Sequence, residues 1–235
     1  MELERILHRH GFGSRKICRA LIRSGRVAVC GIPVDDPFAD ISVPDLVFSV
    51  DDVDWPYCET ATIMLNKPAG YECSRKPIHH PSIFSLLPLP LLERGLQNIG
   101  RLDADTTGLL LFTDDGKLNR DLTSPKRKVA KTYAVQLKHP GGPELVRALL
   151  DGVLLHDEQD CLAAVSCSLT GVRSLELAVS EGKYHQVKRM VAAAGNRVEF
   201  LHRSAIGGLS LPDELKPGQW RWLGDAELVR LREGA

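Results

Sequence analysis

The sequence predicts an α+β protein in two parts, a small basic module followed by a larger domain of mixed strands and helices. Three observations carry this. Strand and helix patterns are interspersed along the 235 residues without the regular alternation that builds a doubly wound sheet. Formal charge is zero overall but segregated, with seven basic residues against two acidic ones in 1–30, seven aspartates and no Lys or Arg in 31–58, and seven basic residues against one aspartate in 117–138. The stretch from Asp51 to Glu59, with four acids and Pro56, has no periodicity and reads as a linker. The expected boundaries are therefore a module plus linker over 1–58 and a second domain over 59–235.

In the module, Ser14 to Ser24 reads as a helix with Ser14 as N-cap and Gly25 as the stop. At 3.6 residues per turn, Arg15, Lys16, Arg19 and Arg23 share one side, and Ile17, Cys18, Leu21 and Ile22 the other. No acid on this helix is spaced to pair with those cations, so the basic side is offered for contact with a phosphate backbone. Val27-Ala28-Val29 and Ile32-Pro33-Val34 flank Cys30-Gly31 as a hairpin, and Val43 to Val50 follows as a strand. In the second domain, strands are expected at Thr62–Asn66, Leu109–Thr113, Tyr133–Leu137, Ser174–Val179 and Val198–Leu201. Helices are expected at Lys117–Thr123, Pro143–Leu150, His185–Ala194 and Asp225–Arg232.

Composition narrows the function. Apolar residues at 43%, charged at 26% and aromatic at 6% describe an ordinary globular chain. Six cysteines without a C-x-x-C pair suggest neither a zinc ribbon nor a disulfide framework, and reduced thiols are expected. The start, Met1-Glu2-Leu3-Glu4-Arg5, lacks the layout of a signal peptide, and the longest apolar stretch, Ile83 to Leu92, is broken by Pro88 and Pro90. A cytoplasmic protein without membrane contact is the expectation. There is no G-x-S-x-G, H-E-x-x-H or Walker A loop, so hydrolase triads, zinc peptidases and nucleotide hydrolysis are not indicated. His79-His80 sits in a Pro-flanked loop where adjacent side chains diverge, and no metal site is expected there.

The densest stretch runs from Gly100 to Gly116, GRLDADTTGLLLFTDDG. Asp114-Asp115-Gly116 is turn chemistry, and Gly108 allows a close backbone approach. Asp103 stands just ahead of an apolar strand, where a carboxylate is either a cap or turn residue or a partly dried reactive group that needs a cation beside it.

That stretch resembles the G-R-L-D-x-x-[TS]-x-G-L-L signature of the RsuA family of ribosomal RNA pseudouridine synthases. Four more segments match in order: Asn66 to Ser74 is similar to the family's N-K-P-x-G motif, Lys131 to Val135 to its K-x-Y-x-V motif, Glu181 to Met190 to the segment that supplies its basic residue, and Leu201 to Gly208 to its last apolar motif. The N-terminal helix and hairpin resemble an S4 RNA-binding module. The fold implied for the second domain is a mixed, largely antiparallel sheet with flanking helices. Wording at Thr106-Thr107, Thr123-Ser124-Pro125 and His185 to Met190 is closest to the member acting on small-subunit (16S) rRNA, with the large-subunit (23S) enzymes as the alternative.

The resemblance implies conversion of uridine to pseudouridine without cofactor or metal. It assigns Asp103 as the carboxylate at the sugar, either attacking C1′ or removing a sugar proton. Lys188 is its counter-charge, with Arg189 the neighbour in the next register. Tyr133 stacks on an everted uracil, Ile206 forms an apolar wall, and Arg101 and Lys67 contact substrate. Arg15, Lys16, Arg19 and Arg23 of the module, with Lys126, Arg127, Lys128 and Lys131, are expected on the RNA backbone. The partner is ribosomal RNA, free or in an assembling particle, and the chain is expected to be a monomer. Two competing classes remain: a catalytically silent assembly factor, and a glycosidase using Asp105 as second acid.

Overall fold

The computed structural model describes residues 1–233 and the side chains of all of these but 125, 232 and 233. It divides into two compact units, one formed by residues 1–61 with 87–97 and the other by residues 62–86 with those from 98 onward.

The first unit begins with α1 (Leu3–Arg9), a helix of under two turns that sequence reading did not place. It buries Leu3, Ile6 and Leu7, an i, i+3, i+4 stripe. Helix α2 (Arg15–Arg23) starts where the Ser14 hydroxyl accepts the Ile17 amide at 3.4 Å. Its packing stripe is narrower than expected, because Cys18 and Ile22 are fully buried while Ile17 is 51% exposed. β1 (Val27–Val29) and β2 (Ile32–Pro33) pair around Cys30 and Gly31, both at positive φ, as a twisted two-residue hairpin turn requires. β3 (Val47–Val50) is shorter than the segment predicted from Val43. The supposed linker is the main correction: Val53–Pro56 is a strand, β4, antiparallel to β3 from Val47↔Pro56 to Val50↔Val53. Its acids Asp51 and Asp52 form the turn, both at positive φ, and buried Trp55 packs edge-on to Phe12 at 5.1 Å. The strand order is β2-β1-β3-β4, and α3 (Leu89–Glu93) belongs to this unit from later in the chain.

The second unit contains β5 (Thr62–Lys67), then β6 (Gln97–Ile99), at which the chain passes from one unit to the other, β7 (Thr107–Thr113), α4 (Gly116–Thr123) and β8 (Lys131–Leu137). After α5 (Pro143–Asp151), β9 (Val153–Leu154) and β10 (Cys161–Leu162) form a two-stranded ladder. β11 (Ser166–Gly171), β12 (Ser174–Val179), α6 (Gln186–Ala193), β13 (Val198–Ile206), β14 (Leu209–Ser210), β15 (Trp220–Trp222) and α7 (Asp225–Glu233) complete it. The main sheet runs β11-β12-β8-β13-β7-β5-β15, antiparallel except where β13 lies parallel to β7. The fold is thus α+β with a mixed, largely antiparallel sheet. Every expected strand and helix of this domain is present, β13 running on past Leu201 to Ile206.

From Gly108 onward β7 is buried on both faces. Leu109 and Leu111 join Met64, Leu118, Leu122 and Ile206 in one cluster, while Phe112 meets Phe84 edge-on at 5.4 Å on the other side. Burial of this kind, worth roughly 1.5–3 kcal/mol per large apolar side chain, fixes the strand against which the site is built. Among the described residues no helix is long and apolar enough to cross a membrane.

Candidate active site

Strand register brings four of the motifs into one row. Tyr133 on β8 pairs with Arg203 on β13, Arg203 with Gly108 on β7, and Gly108 with Lys67 on β5. Gly108, at φ +104, is where β13 passes so closely that a Cβ would stand 2.3 Å from the Arg203 carbonyl oxygen, so no other residue fits there. The loop ahead of β7 carries Asp103.

Asp103 has a basic side chain at each oxygen. Lys188 Nζ lies 3.2 Å from Oδ2, and His185 Nε2 lies 3.3 Å from Oδ1. Lys188 also donates to both oxygens of Asp105 at 2.7 and 2.9 Å. Burial works against the Lys188 ammonium, but the two carboxylates outweigh it and hold its pKa above the usual lysine value. Burial likewise opposes the Asp105 carboxylate, and Lys188 reverses this, leaving Asp105 below the usual range. The ammonium is therefore shared between a half-enclosed acid, Asp103, and an exposed one, Asp105.

Helix α6 sets this geometry. Lys188 lies in its first turn, and His185, just ahead of it, has φ +49, a left-handed backbone that costs a non-glycine residue of order 1 kcal/mol. Arg189, one residue on and about 100° around the helix, turns away and pairs with Asp157, and its Nη1 donates to the Tyr184 carbonyl at 3.1 Å. Of the two, Lys188 is the one within ion-pair distance of Asp103, while Arg189 is paired elsewhere.

Lys67 departs from its expected role. It is fully buried, its ammonium donating to the carbonyls of Pro68, Ala104 and Thr106 at 3.0, 3.1 and 2.9 Å. Burial lowers its pKa, and with its donors on backbone it ties down the Asp103 loop instead of contacting substrate. Gly70 N–H reinforces this by donating to the Ala104 carbonyl at 2.7 Å. Lys131 is similarly turned inward, with Nζ on the Val129 carbonyl at 2.9 Å and a pKa lowered by burial and then by Arg203. The rest of that basic cluster, Lys126, Arg127 and Lys128, is exposed. Tyr133 is 8% exposed and Ile206 2%, and Arg101 faces solvent. On α2, Arg15, Lys16 and Arg23 are exposed, whereas Arg19 forms an ion pair with buried Glu4 of α1. The acid missing from its own helix is supplied by the preceding one, and Arg19 is thereby withdrawn from the open basic face.

Sequence reasoning missed His185, whose signal was its place three residues ahead of Lys188, and Arg203. The latter is 2% exposed, with Nε on the Leu109 carbonyl at 2.8 Å and Nη2 unpartnered among the described residues. His79 and His80 are loop residues whose amides donate to the Glu72 carboxylate, and no cluster placed to hold a metal occurs among the described residues.

Comparison with known proteins adds to this geometry. The profile of a family described as RNA pseudouridylate synthase matches residues 61–193. A protein of Yersinia pestis named ribosomal small subunit pseudouridine synthase A is 44% identical over 166 residues, covering 71% of this chain and 70% of its own. Its namesake in Haemophilus influenzae is 36% identical over 231 residues, covering 98% of this chain and 99% of its own. A solved structure titled "Crystal structure of pseudouridylate synthase" superposes with a TM-score of 0.70 at 35% identity, over 98% of this chain and 99% of that one.

Proposed function

The chain belongs to the RNA pseudouridylate synthase family, and from that premise we propose that it isomerises a uridine of small-subunit (16S) rRNA to pseudouridine, with Asp103 as its catalytic carboxylate. The observation that carries this is the Asp103 side chain held between Lys188 and His185 at the head of β7. The two relatives, both named for the small subunit, support 16S over 23S rRNA.

The reaction breaks the bond from uracil N1 to C1′ and forms one from C5 to the same carbon. The C5 proton leaves, N1 gains a proton, and nothing is consumed. An ionised carboxylate at the sugar serves either opening step, attack on C1′ or removal of a sugar proton. Lys188 and His185 stand against the two oxygens of that carboxylate and hold it at the head of β7. Tyr133, in the row beside the Asp103 loop, stacks on the everted uracil, and Ile206 closes the apolar side. A silent assembly factor would have no use for a carboxylate so placed.

In this reading the first unit acts as an S4-like RNA-binding module through Arg15, Lys16 and Arg23, and Lys126, Arg127 and Lys128 hold backbone near the site. The protein acts as a cytoplasmic monomer on rRNA, free or in an assembling particle. The test is pseudouridine mapping by carbodiimide labelling of both rRNAs from a strain lacking the protein. One 16S position loses its label, and unchanged 16S rRNA overturns the proposal.

A further inference from the structure

Tyr184 is the exposed aromatic residue closest in sequence to the Asp103 clamp, 75% exposed on the segment that leads into α6. It is nevertheless fixed at both ends. Its ring lies flat on the His185 imidazole, with centroids 3.9 Å apart and planes 17° from parallel. Its carbonyl accepts from Arg189 Nη1 at 3.1 Å, and Arg189 is itself paired with Asp157. The far edge of the imidazole ends on Asp103 Oδ1 at 3.3 Å. The chain of contacts is therefore Asp103, imidazole, phenol ring, open face.

We propose that the open face of Tyr184 is a stacking site for the nucleobase next to the target uridine in the RNA strand. This rests on the functional reading above and extends it. The imidazole and the phenol ring both lie between Asp103 and that open face, so a base on Tyr184 sits outside the place of the base acted on at Asp103. Everting a uridine leaves its neighbour with one face bare, and a rigid, uncharged aromatic plane at that distance replaces the lost stacking partner. Such a contact is tolerant of base identity because every base has a flat face. His185 has a left-handed backbone, and the Tyr184 carbonyl is held by Arg189, itself paired with Asp157.

The experiment uses the full-length protein and a synthetic 16S fragment spanning the uridine identified by mapping, with versions abasic at the position on either side. Tyr184→Ala raises KM about tenfold with kcat reduced less than threefold, and Tyr184→Phe, which keeps the flat face, recovers the KM. One abasic neighbour raises KM for the wild type by a similar factor and adds little to Tyr184→Ala. Equal sensitivity of both proteins to each abasic fragment overturns the proposal. So does recovery by Tyr184→Leu, which would make the ring a mere cover over His185. A fall in kcat alone also overturns it, since the ring would then serve the target base. Failure of the wild type to isomerise any rRNA uridine overturns the functional reading itself, whereas turnover insensitive to Tyr184 overturns only the stacking site.

Discussion

The two cationic regions of this molecule handle charge in opposite ways. At the site, Lys188 lies within ion-pair distance of two carboxylates, which hold its own pKa above the usual lysine value and tie it to the Asp103 loop. On α2, Arg15, Lys16 and Arg23 stand in solvent, with Arg19 drawn aside by Glu4. Close, partly enclosed pairs are little screened by salt, whereas exposed cations act on a polyanion at a range that salt shortens. A count of basic residues does not distinguish the two uses; the placement of acids does.

That contrast can be broken or sharpened at several points. Asp103→Asn is expected to lower pseudouridine formation at least about 1,000-fold while RNA binding survives, measured by carbodiimide labelling beside filter binding. Equal loss of both would erase the distinction between chemistry and contact. Lys188→Met removes the shared cation and leaves Asp103 and Asp105 facing each other; kcat drops about 100-fold, with partial recovery in Lys188→Arg. Full activity of the methionine variant would show that His185 suffices. Lys67→Ala leaves three carbonyls without their donor and costs about 3 kcal/mol in denaturant unfolding. Unchanged stability would return Lys67 to a substrate role. Replacing Arg15, Lys16 and Arg23 by alanine reduces the slope of log affinity against log salt by about 2, as three lost phosphate contacts predict. An unaltered slope would mean that RNA does not use this face.

The smallest effect is a pH dependence. The folded-state pKa of Asp105 lies below its usual value, because Lys188 outweighs the penalty of burial. The stability it contributes is complete above the unfolded aspartate value of about 3.9 and is lost as pH falls through the lowered folded value. The difference in unfolding free energy between wild type and Asp105→Asn should be flat near neutrality and close below about pH 4. A difference that stayed constant into acid would remove Asp105 from the Lys188 network.

Much of this was legible because it is local. Ser14 and Asp115 cap helices by contacts within three residues, β7 is an apolar run between turn residues, and β8 alternates buried and exposed side chains. Gly108 was readable as a close approach, though not which backbone approached. The supposed linker failed for a physical reason: Asp51 and Asp52 form a tight turn, so the acids that broke the periodicity belong to a hairpin whose Trp55 is buried. Lys67, Lys131 and Arg19 all read as open cations and are held by groups distant in sequence or turned inward on backbone.

By itself, then, the amino-acid order determined the α+β class, the helices α4 to α7 and five main strands of the larger unit, and the residue types a uridine isomerase needs, since propensity, capping and motif spacing act over a few residues. Which cation meets Asp103, which lysine is buried beneath its loop, and that His185 and Tyr184 stack beside it were decided only when β5, β7, β8 and β13 aligned in register and α6 turned one face toward them. The ion pairs depend on separations of a few ångströms between residues up to 85 positions apart, and only the packed chain brings these together.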